Sequence, residues 1–271
     1  MFRKKDYRKG LSEEDWWRLR RLKLTRTHEV LMGEIRVKAA LTPPSLFEYW
    51  RLVYERYVEV GLLDKTASFW TTPYHFLPET RFFGTYIGEE GPESVAGIVF
   101  DGITGLPSDV LYKDVLDDLR GKQKLAEIFS LASRKDMKAR NTLFHLFRIL
   151  YRYALFCGAE GLVIAIHPKH ADFYERILLF ERVGERRAHL QFQTSFTLEY
   201  LSLTEAPARY WRAYKNFPAE YNLYHFFKTK GLPEEKMFSY IRQTNINFLN
   251  FSFKDVNYFT NLSEIKKTAE A

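Results

Sequence analysis

The stretch from 125 to 166 restricts the fold more than any other. Leu125-Ala126-Glu127-Ile128-Phe129-Ser130-Leu131-Ala132 and Gly161-Leu162-Val163-Ile164-Ala165-Ile166 are two apolar runs with no clean polar alternation. Between them lies a long helical stretch, Asn141 to Cys157, closed by Gly158. Strands without a polar face are covered on both sides, so they belong in the centre of a sheet with helices packed against it. One carboxylate, Glu127, interrupts the first run. A carboxylate there is costly unless it is paired or used.

The flanking segments extend this sheet. Ile35-Arg36-Val37-Lys38-Ala39 reads as a strand, and Thr42-Pro43-Pro44-Ser45 starts a helix whose apolar positions run from Phe47 to Val58 before Gly61 ends it. Phe82 to Ile87 and Val95 to Phe100 form a hairpin around the turn Gly88-Glu89-Glu90-Gly91-Pro92. A polar excursion, Gly105-Leu106-Pro107-Ser108-Asp109, leads through a short helix to the first apolar run. After the second run come a short helix, Ala171 to Ile177, and two strands, the last predicted over Leu190 to Leu198. The order β-α-β-β-β-α-β-α-β-β describes an α/β (α+β) fold with a mixed sheet flanked by helices.

A length of 271 residues suits one domain with extensions, predicted as 1–32, 33–203 and 204–271. In the first extension Ser12 precedes Glu13-Glu14-Asp15, a helix start, and Trp16, Leu19 and Leu22 share a stripe among arginines. Two readings apply to this basic amphipathic helix: packing on its own domain, which is favoured, or peripheral contact with a membrane. In the last extension Leu232-Pro233-Glu234-Glu235 starts a helix, and a Phe- and Asn-rich stretch spans 245–261. Its aromatics are too dense for a disordered tail and predict docking on the domain.

Aromatics make up 17% of the chain, and so many rings must fill a core, line an apolar cavity or form contact surfaces. A net charge of +7 favours polyanionic partners. No helix-turn-helix or zinc module accompanies that charge, which argues against nucleic acid. The single Cys157 excludes an internal disulfide. It ends an apolar helix and reads as core. His167, His170 and His189 lack a carboxylate at ligand spacing, so no metal is predicted. No apolar h-region follows Met1, and no run approaches the roughly 20 residues a spanning helix needs. The expectation is a cytoplasmic protein.

Two segments resemble a known family. Ile166-His167-Pro168-Lys169-His170-Ala171-Asp172-Phe173-Tyr174-Glu175-Arg176, followed by Phe180 and Gly184-Glu185, resembles a segment of the GNAT acyltransferase superfamily. Gly105 to Asp109, Leu119-Arg120-Gly121, Ala126-Glu127-Ile128 and Leu131-Ala132, together with Tyr57-Val58 and Gly61, resemble its long-chain N-acyl amino acid synthase (FeeM-type) branch. That branch is related to the acyl-homoserine lactone synthases. The resemblance implies a V-shaped opening between two neighbouring parallel strands, here 127–133 and 162–166, into which the thioester arm of a donor inserts as an extra strand.

It also implies site residues. Glu127 deprotonates or orients the amine, with a structural salt bridge as the alternative reading. Tyr174 occupies the place of a tyrosine that protonates the leaving sulfur, and is equally readable as packing. Phe129, Ser130, Leu131, Ser133, Asn141 and His170 are expected along the acyl-phosphopantetheine, and Phe82, Phe83 and Val99 along an acyl tunnel. Acyl-CoA enzymes of the superfamily carry a glycine-rich turn before the long helix, where backbone amides approach the pyrophosphate. This chain has Arg134-Lys135-Asp136-Met137-Lys138-Ala139-Arg140, with no glycine between Gly121 and Gly158. With Arg148 and Arg152 farther along the helix, these basic residues fit an acidic acyl carrier protein better than CoA. The acceptor implied is an amino acid or small amine, and no bound cofactor is expected.

Two departures stand out: Ser130 replaces an arginine usual in the related synthases, and Leu179 replaces the glycine before the motif's last Phe. They keep open a GNAT-like module that binds acyl carrier or lipid without catalysing, and an acyl-CoA-dependent enzyme of the superfamily is a further alternative.

Overall fold

The computed structural model describes residues 10–65, 67, 69–135, 137–228 and 234–244, with side chains for all of these but 137–141. Among the described residues the elements are, in order, α1 (Glu13–Leu24), α2 (Thr27–Leu31), β1 (Arg36–Ala39), α3 (Pro43–Glu59), β2 (Arg81–Tyr86), β3 (Ser94–Phe100) and α4 (Asp109–Arg120). There follow β4 (Leu125–Ser133), α5 (Met137–Phe156), β5 (Gly161–Ile166), β6 (Glu181–His189), β7 (Thr194–Ser202), α6 (Ala206–Tyr214), α7 (Leu223–Lys228) and α8 (Glu234–Gln243).

The expected mixed, helix-flanked sheet is present. Among the described residues seven strands lie in the order β1-β2-β3-β4-β5-β7-β6, and only β4 and β5 pair in parallel, joined by α5. Local chemistry sets the boundaries: Ser12 Oγ accepts the Asp15 N–H at 3.1 Å, and Thr42 and Ser45 cap α3 reciprocally behind Pro43. Gly61 and Gly158 follow α3 and α5 with φ of 77° and 85°. Each face of the sheet carries its own buried cluster. α3 and α4 bury Trp50, Tyr49, Tyr112 and Leu116 on one face, while α5 and the terminal helices bury Leu150, Tyr153, Leu19, Tyr214 and Phe238 on the other. The apolar stripe of α1 is thus spent inside the protein, with Leu19 and Leu22 fully buried.

Three boundaries differ from the sequence expectation. α5 begins at Met137, before the predicted Asn141. Leu190 to Gln193 form a turn rather than the start of the last strand, with Gln193 at φ 46°, and β7 begins at Thr194. The turn was hidden because neither glycine nor proline marks it. Instead of a regular helix over Ala171 to Ile177, a 3₁₀ turn at Pro168–His170 is followed by a wide π-helical turn at Phe173–Ile177, in which the Leu178 N–H donates to the Phe173 carbonyl at 3.0 Å.

Three successive carbonyls leaving that wide turn are taken by the terminal helices. Arg18 Nε of α1 donates to the Arg176 carbonyl at 2.7 Å, and Tyr214 and Tyr210 of α6 donate to those of Ile177 and Leu178 at 2.6 Å each. Arg176 itself pairs with Glu14 and lies 3.4 Å over the Trp17 ring. Tyr214→Phe keeps the ring packing but leaves a buried carbonyl unmatched. The expected loss is about 1–3 kcal/mol, read by chemical denaturation, and an unchanged midpoint would count against it.

Candidate active site

The parallel pair separates where Glu127 stands. Leu125, Ala126 and Glu127 pair with Gly161, Leu162 and Val163, and the register ends there. β5 continues alone against β7 to Ile166, opposite Thr197. β4 bends away at a bulge: Phe129 pairs with Gly97 and Ala132 with Val95, so Ser130 and Leu131 oppose Ala96 alone. Ser130 takes the left-handed backbone conformation there, with φ 49°. The V-shaped opening expected from the sequence therefore lies between residues 128–133 and 164–166, with backbone groups of both strands facing the gap.

Glu127 sits at its apex, 2% exposed. Its carboxylate accepts the Ser108 N–H at 2.9 Å and the Ser108 hydroxyl at 2.6 Å. The loop that presents Ser108 is held by Asp109, which accepts the Leu106 N–H at 2.7 Å and receives both Nη groups of Arg120. Gly105 is required in that loop: at φ 68°, a Cβ would stand 2.3 Å from the Asp109 carboxylate. Arg120 is shared with Asp101 and Asp117. Among the described residues Glu127 makes no ion pair, so the salt-bridge reading finds no partner. Burial, opposed by the two Ser108 hydrogen bonds, pushes its carboxyl up to about 8.

Tyr174 lies in the wide turn, buried, with its ring against Phe147 and Phe180. Burial raises its hydroxyl above the ordinary tyrosine range, and Tyr57 and Glu199 add to the effect. Leu179, at the position where the resembling family has glycine, is left-handed with φ 60°. A non-glycine residue carries a modest strain there.

The other expected site residues divide. Phe82, Val99 and Phe129 share the buried cluster on the α3 face, and the Phe82 and Phe129 rings meet at 5.5 Å. Phe83, adjacent in the strand, stands on the opposite face against Tyr153, so it is not brought together with them. A cavity of about 750 Å³ opens near the start of β4, lined by Phe100, Leu125, Tyr153, Cys157 and Arg242 among others, and none of the three expected tunnel residues lines it. Ser133 joins a chain of hydroxyls with Ser94, Thr142 and Thr85, spaced 2.8–2.9 Å, which ties β2, β3 and β4 to α5. Leu131 is half-buried and His170 exposed.

Of the basic turn, Arg134 donates to the Pro92 carbonyl at 2.9 Å, and Lys135 projects into solvent beside Glu59 at 2.9 Å. The side chains of Lys138, Arg140 and Asn141 lie outside the described residues. Arg148 lies 4.7 Å over the Phe226 ring, and Arg152 pairs with Glu234 of α8, so both are engaged within the protein and are not gathered with Arg134 and Lys135. Among the described residues no group of His, Cys, Asp or Glu converges to hold a metal. Nor is any helix there long and apolar enough to cross a membrane.

One residue near the opening was missed. His75, 3% exposed, is packed among the rings of Trp50, Trp70, Phe82 and Phe129, and its Nε2 is 3.1 Å from Ser130 Oγ. The only sequence signal was Thr72-Pro73, a capping residue and helix-start proline opening the 3₁₀ turn that carries it.

Comparison with known proteins agrees with this geometry. Residues 48–201 match the family model of the N-acyl amino acid synthase FeeM. Among solved structures, FeeM, an N-acyl amino acid synthase from uncultured soil microbes, superposes with a TM-score of 0.57 at 25% identity, over 65% of this chain and 94% of its own. TofI, in a ternary complex with an inhibitor and MTA, superposes with a TM-score of 0.50 at 12% identity, over 63% of this chain and 92% of its own. At that identity the likeness speaks for the fold alone. No curated protein matches the sequence.

Proposed function

The chain belongs to the FeeM family of N-acyl amino acid synthases and is an N-acyltransferase, and from that premise we propose that it moves a long-chain fatty acyl group from an acyl carrier protein thioester to the amine of an amino acid or small amine. The observation that carries the proposal is the opening of the β4–β5 pair at a buried carboxylate that makes no ion pair among the described residues. An extended phosphopantetheine arm entering that gap satisfies the strand edges as an added strand.

In this reading 33–203 is the catalytic unit, and 1–32 and 204–271 are appended to it. Glu127, as carboxylate, takes a proton from the incoming ammonium through water, and the freed amine attacks the thioester carbonyl carbon. The nitrogen of the tetrahedral adduct gives its second proton to water, the oxyanion collapses, the C–S bond breaks, and the sulfur leaves with the Tyr174 hydroxyl proton. Amide and thiol are the products, and the proton on Glu127 returns to Tyr174 through solvent. A carboxyl pushed up to about 8 is matched to an ammonium in a way that an ordinary one is not. Tyr174 keeps its proton until sulfur needs it because burial raises its hydroxyl.

A carrier protein is favoured over CoA by the glycine-free basic turn, of which Arg134 and Lys135 are the described members. Purified protein given long-chain acyl-carrier thioester and pooled amino acids should release acyl-amides detectable by mass spectrometry. The same acyl group on CoA should react more slowly. Faster turnover of the CoA thioester would overturn the donor assignment, and no amide from either thioester would overturn the function. Lys135→Glu should raise KM for the carrier roughly fivefold at low salt, as expected of a charge at an interface rim. The difference should fade as salt is added.

A further inference from the structure

The hydrogen-bond polarity of His75 is fixed by its neighbours. The Thr72 backbone N–H, which can only donate, points to His75 Nδ1 at 2.9 Å, and the Thr72 hydroxyl lies at 3.0 Å. The Thr72 carbonyl is farther, at 3.2 Å. Nδ1 is therefore the unprotonated nitrogen, and the neutral ring carries its proton on Nε2. That proton goes to the one partner of Nε2 among the described residues, the Ser130 oxygen. Four aromatic rings surround the imidazole, and burial pushes its pKa down to about 3, so it stays neutral at any working pH.

Two consequences follow for Ser130. Its oxygen accepts from His75, so His75 cannot serve as a base to make it a nucleophile. Its own hydroxyl proton finds no acceptor among the described residues, although the side chain is only 6% exposed. A buried donor without an acceptor is unusual in a native structure. This one sits on the bulge of β4, three residues past the carboxylate at which the two strands part.

Building on the acyl-transfer reading above, we propose that the Ser130 hydroxyl donates its hydrogen bond to the thioester carbonyl oxygen as that oxygen becomes an oxyanion, and that His75 is the positioning residue that holds the hydroxyl in this polarity. A neutral donor against an aromatic wall suits charge that develops only during reaction, because it needs no reorganisation at that moment. A standing carboxylate on the acceptor amino acid would call for a cation, which this wall lacks.

The experiment measures kcat and KM for both substrates in Ser130→Ala, Ser130→Gly, His75→Leu and His75→Gln, with thermal melts alongside. Ser130→Gly suits the left-handed backbone and guards against misfolding. Removing the hydroxyl should lower kcat about 10²–10³-fold, with KM for the acceptor within about twofold. His75→Leu should show the same loss. His75→Gln, whose amide N–H reaches the place of Nε2–H, should recover at least roughly tenfold of it, and the double variant Ser130→Ala/His75→Leu should be no slower than Ser130→Ala.

Three results would each overturn the proposal while leaving the acyltransferase reading intact. They are a folded Ser130→Gly that keeps half its kcat, a loss confined to KM for the acceptor, or an acyl group found covalently on Ser130 by mass spectrometry. If the unaltered protein forms no amide from any thioester, the broader reading fails and this proposal falls with it.

Discussion

Replacing Glu127 with glutamine should leave the chain folded and lower the rate of acyl transfer by about 10²–10⁴-fold, the range over which a positioned general base acts. Glutamine fits the same pocket: its carbonyl accepts the Ser108 N–H, and its amide donates to the Ser108 hydroxyl, which rotates to accept. Only the capacity to take a proton is lost. In the unaltered protein kcat/KM should rise with pH and level off above about 8, where the carboxyl is ionised. In Glu127→Gln that limb should vanish, leaving only the titration of the amine itself. A variant that keeps half the activity would remove Glu127 from the mechanism.

The same residue makes a second, independent signature. Folding raises its carboxyl from the ordinary 4.5 to about 8, so the folded state holds the proton more tightly than the unfolded one. Stability is then greatest below 4.5, declines as pH rises from 4.5 to about 8, and is level beyond. Glu127→Gln cancels that decline. The variant should gain on the parent protein in urea denaturation between pH 5 and pH 9, whatever the assay of activity shows.

Arg81→Met should be the most damaging single change to the fold outside the two buried clusters. The guanidinium of Arg81, at 6% exposure, donates to five carbonyls: Pro78 and Thr80 in its own loop, and Ile241, Arg242 and Thr244 at the end of α8. The last turn of a helix leaves its carbonyls without backbone partners, and here one cation from β2 supplies them. Methionine keeps much of the stem volume and none of the donors. With hydrogen bonds to charged groups worth about 1.5–3 kcal/mol each and several lost, a destabilisation of about 4 kcal/mol is expected. Amide exchange in 234–244 should quicken by about three orders of magnitude, since each 1.4 kcal/mol is tenfold. A melting temperature within about 2 °C of the parent would refute this assignment.

What the sequence disclosed and what it hid have separate physical origins. Strands buried on both faces announce themselves by their lack of alternation, and β4 and β5 were read from that alone. Glu127 was visible because it breaks an apolar run, and the opening beside it was legible through motifs around Gly105 and Tyr174. His75 was not visible. Its significance comes from Ser130, 55 residues away, and no local periodicity marks the segment that carries it. The resemblance implied a bulge at the opening, but nothing local marked its place, because Ser130 adopts the left-handed conformation without being glycine. Leu179, the other departure from the family pattern, does the same. The grouping of Phe82 with Phe83 failed on the simplest rule of a strand, that neighbours point to opposite faces.

The carbonyls beyond the Tyr174 turn bear on the order in which the protein is completed during synthesis. Arg18 is made early, but Tyr210 and Tyr214 leave the ribosome after every strand of the sheet. Until they arrive, two of the three carbonyls lack the partners they have in the finished protein. A nascent chain ending at Ser202 therefore contains the whole sheet and Glu127 at its apex, while the segment proposed to release the sulfur is only partly fastened. Full fastening of that turn waits until α6 folds back on a segment laid down some thirty residues before it.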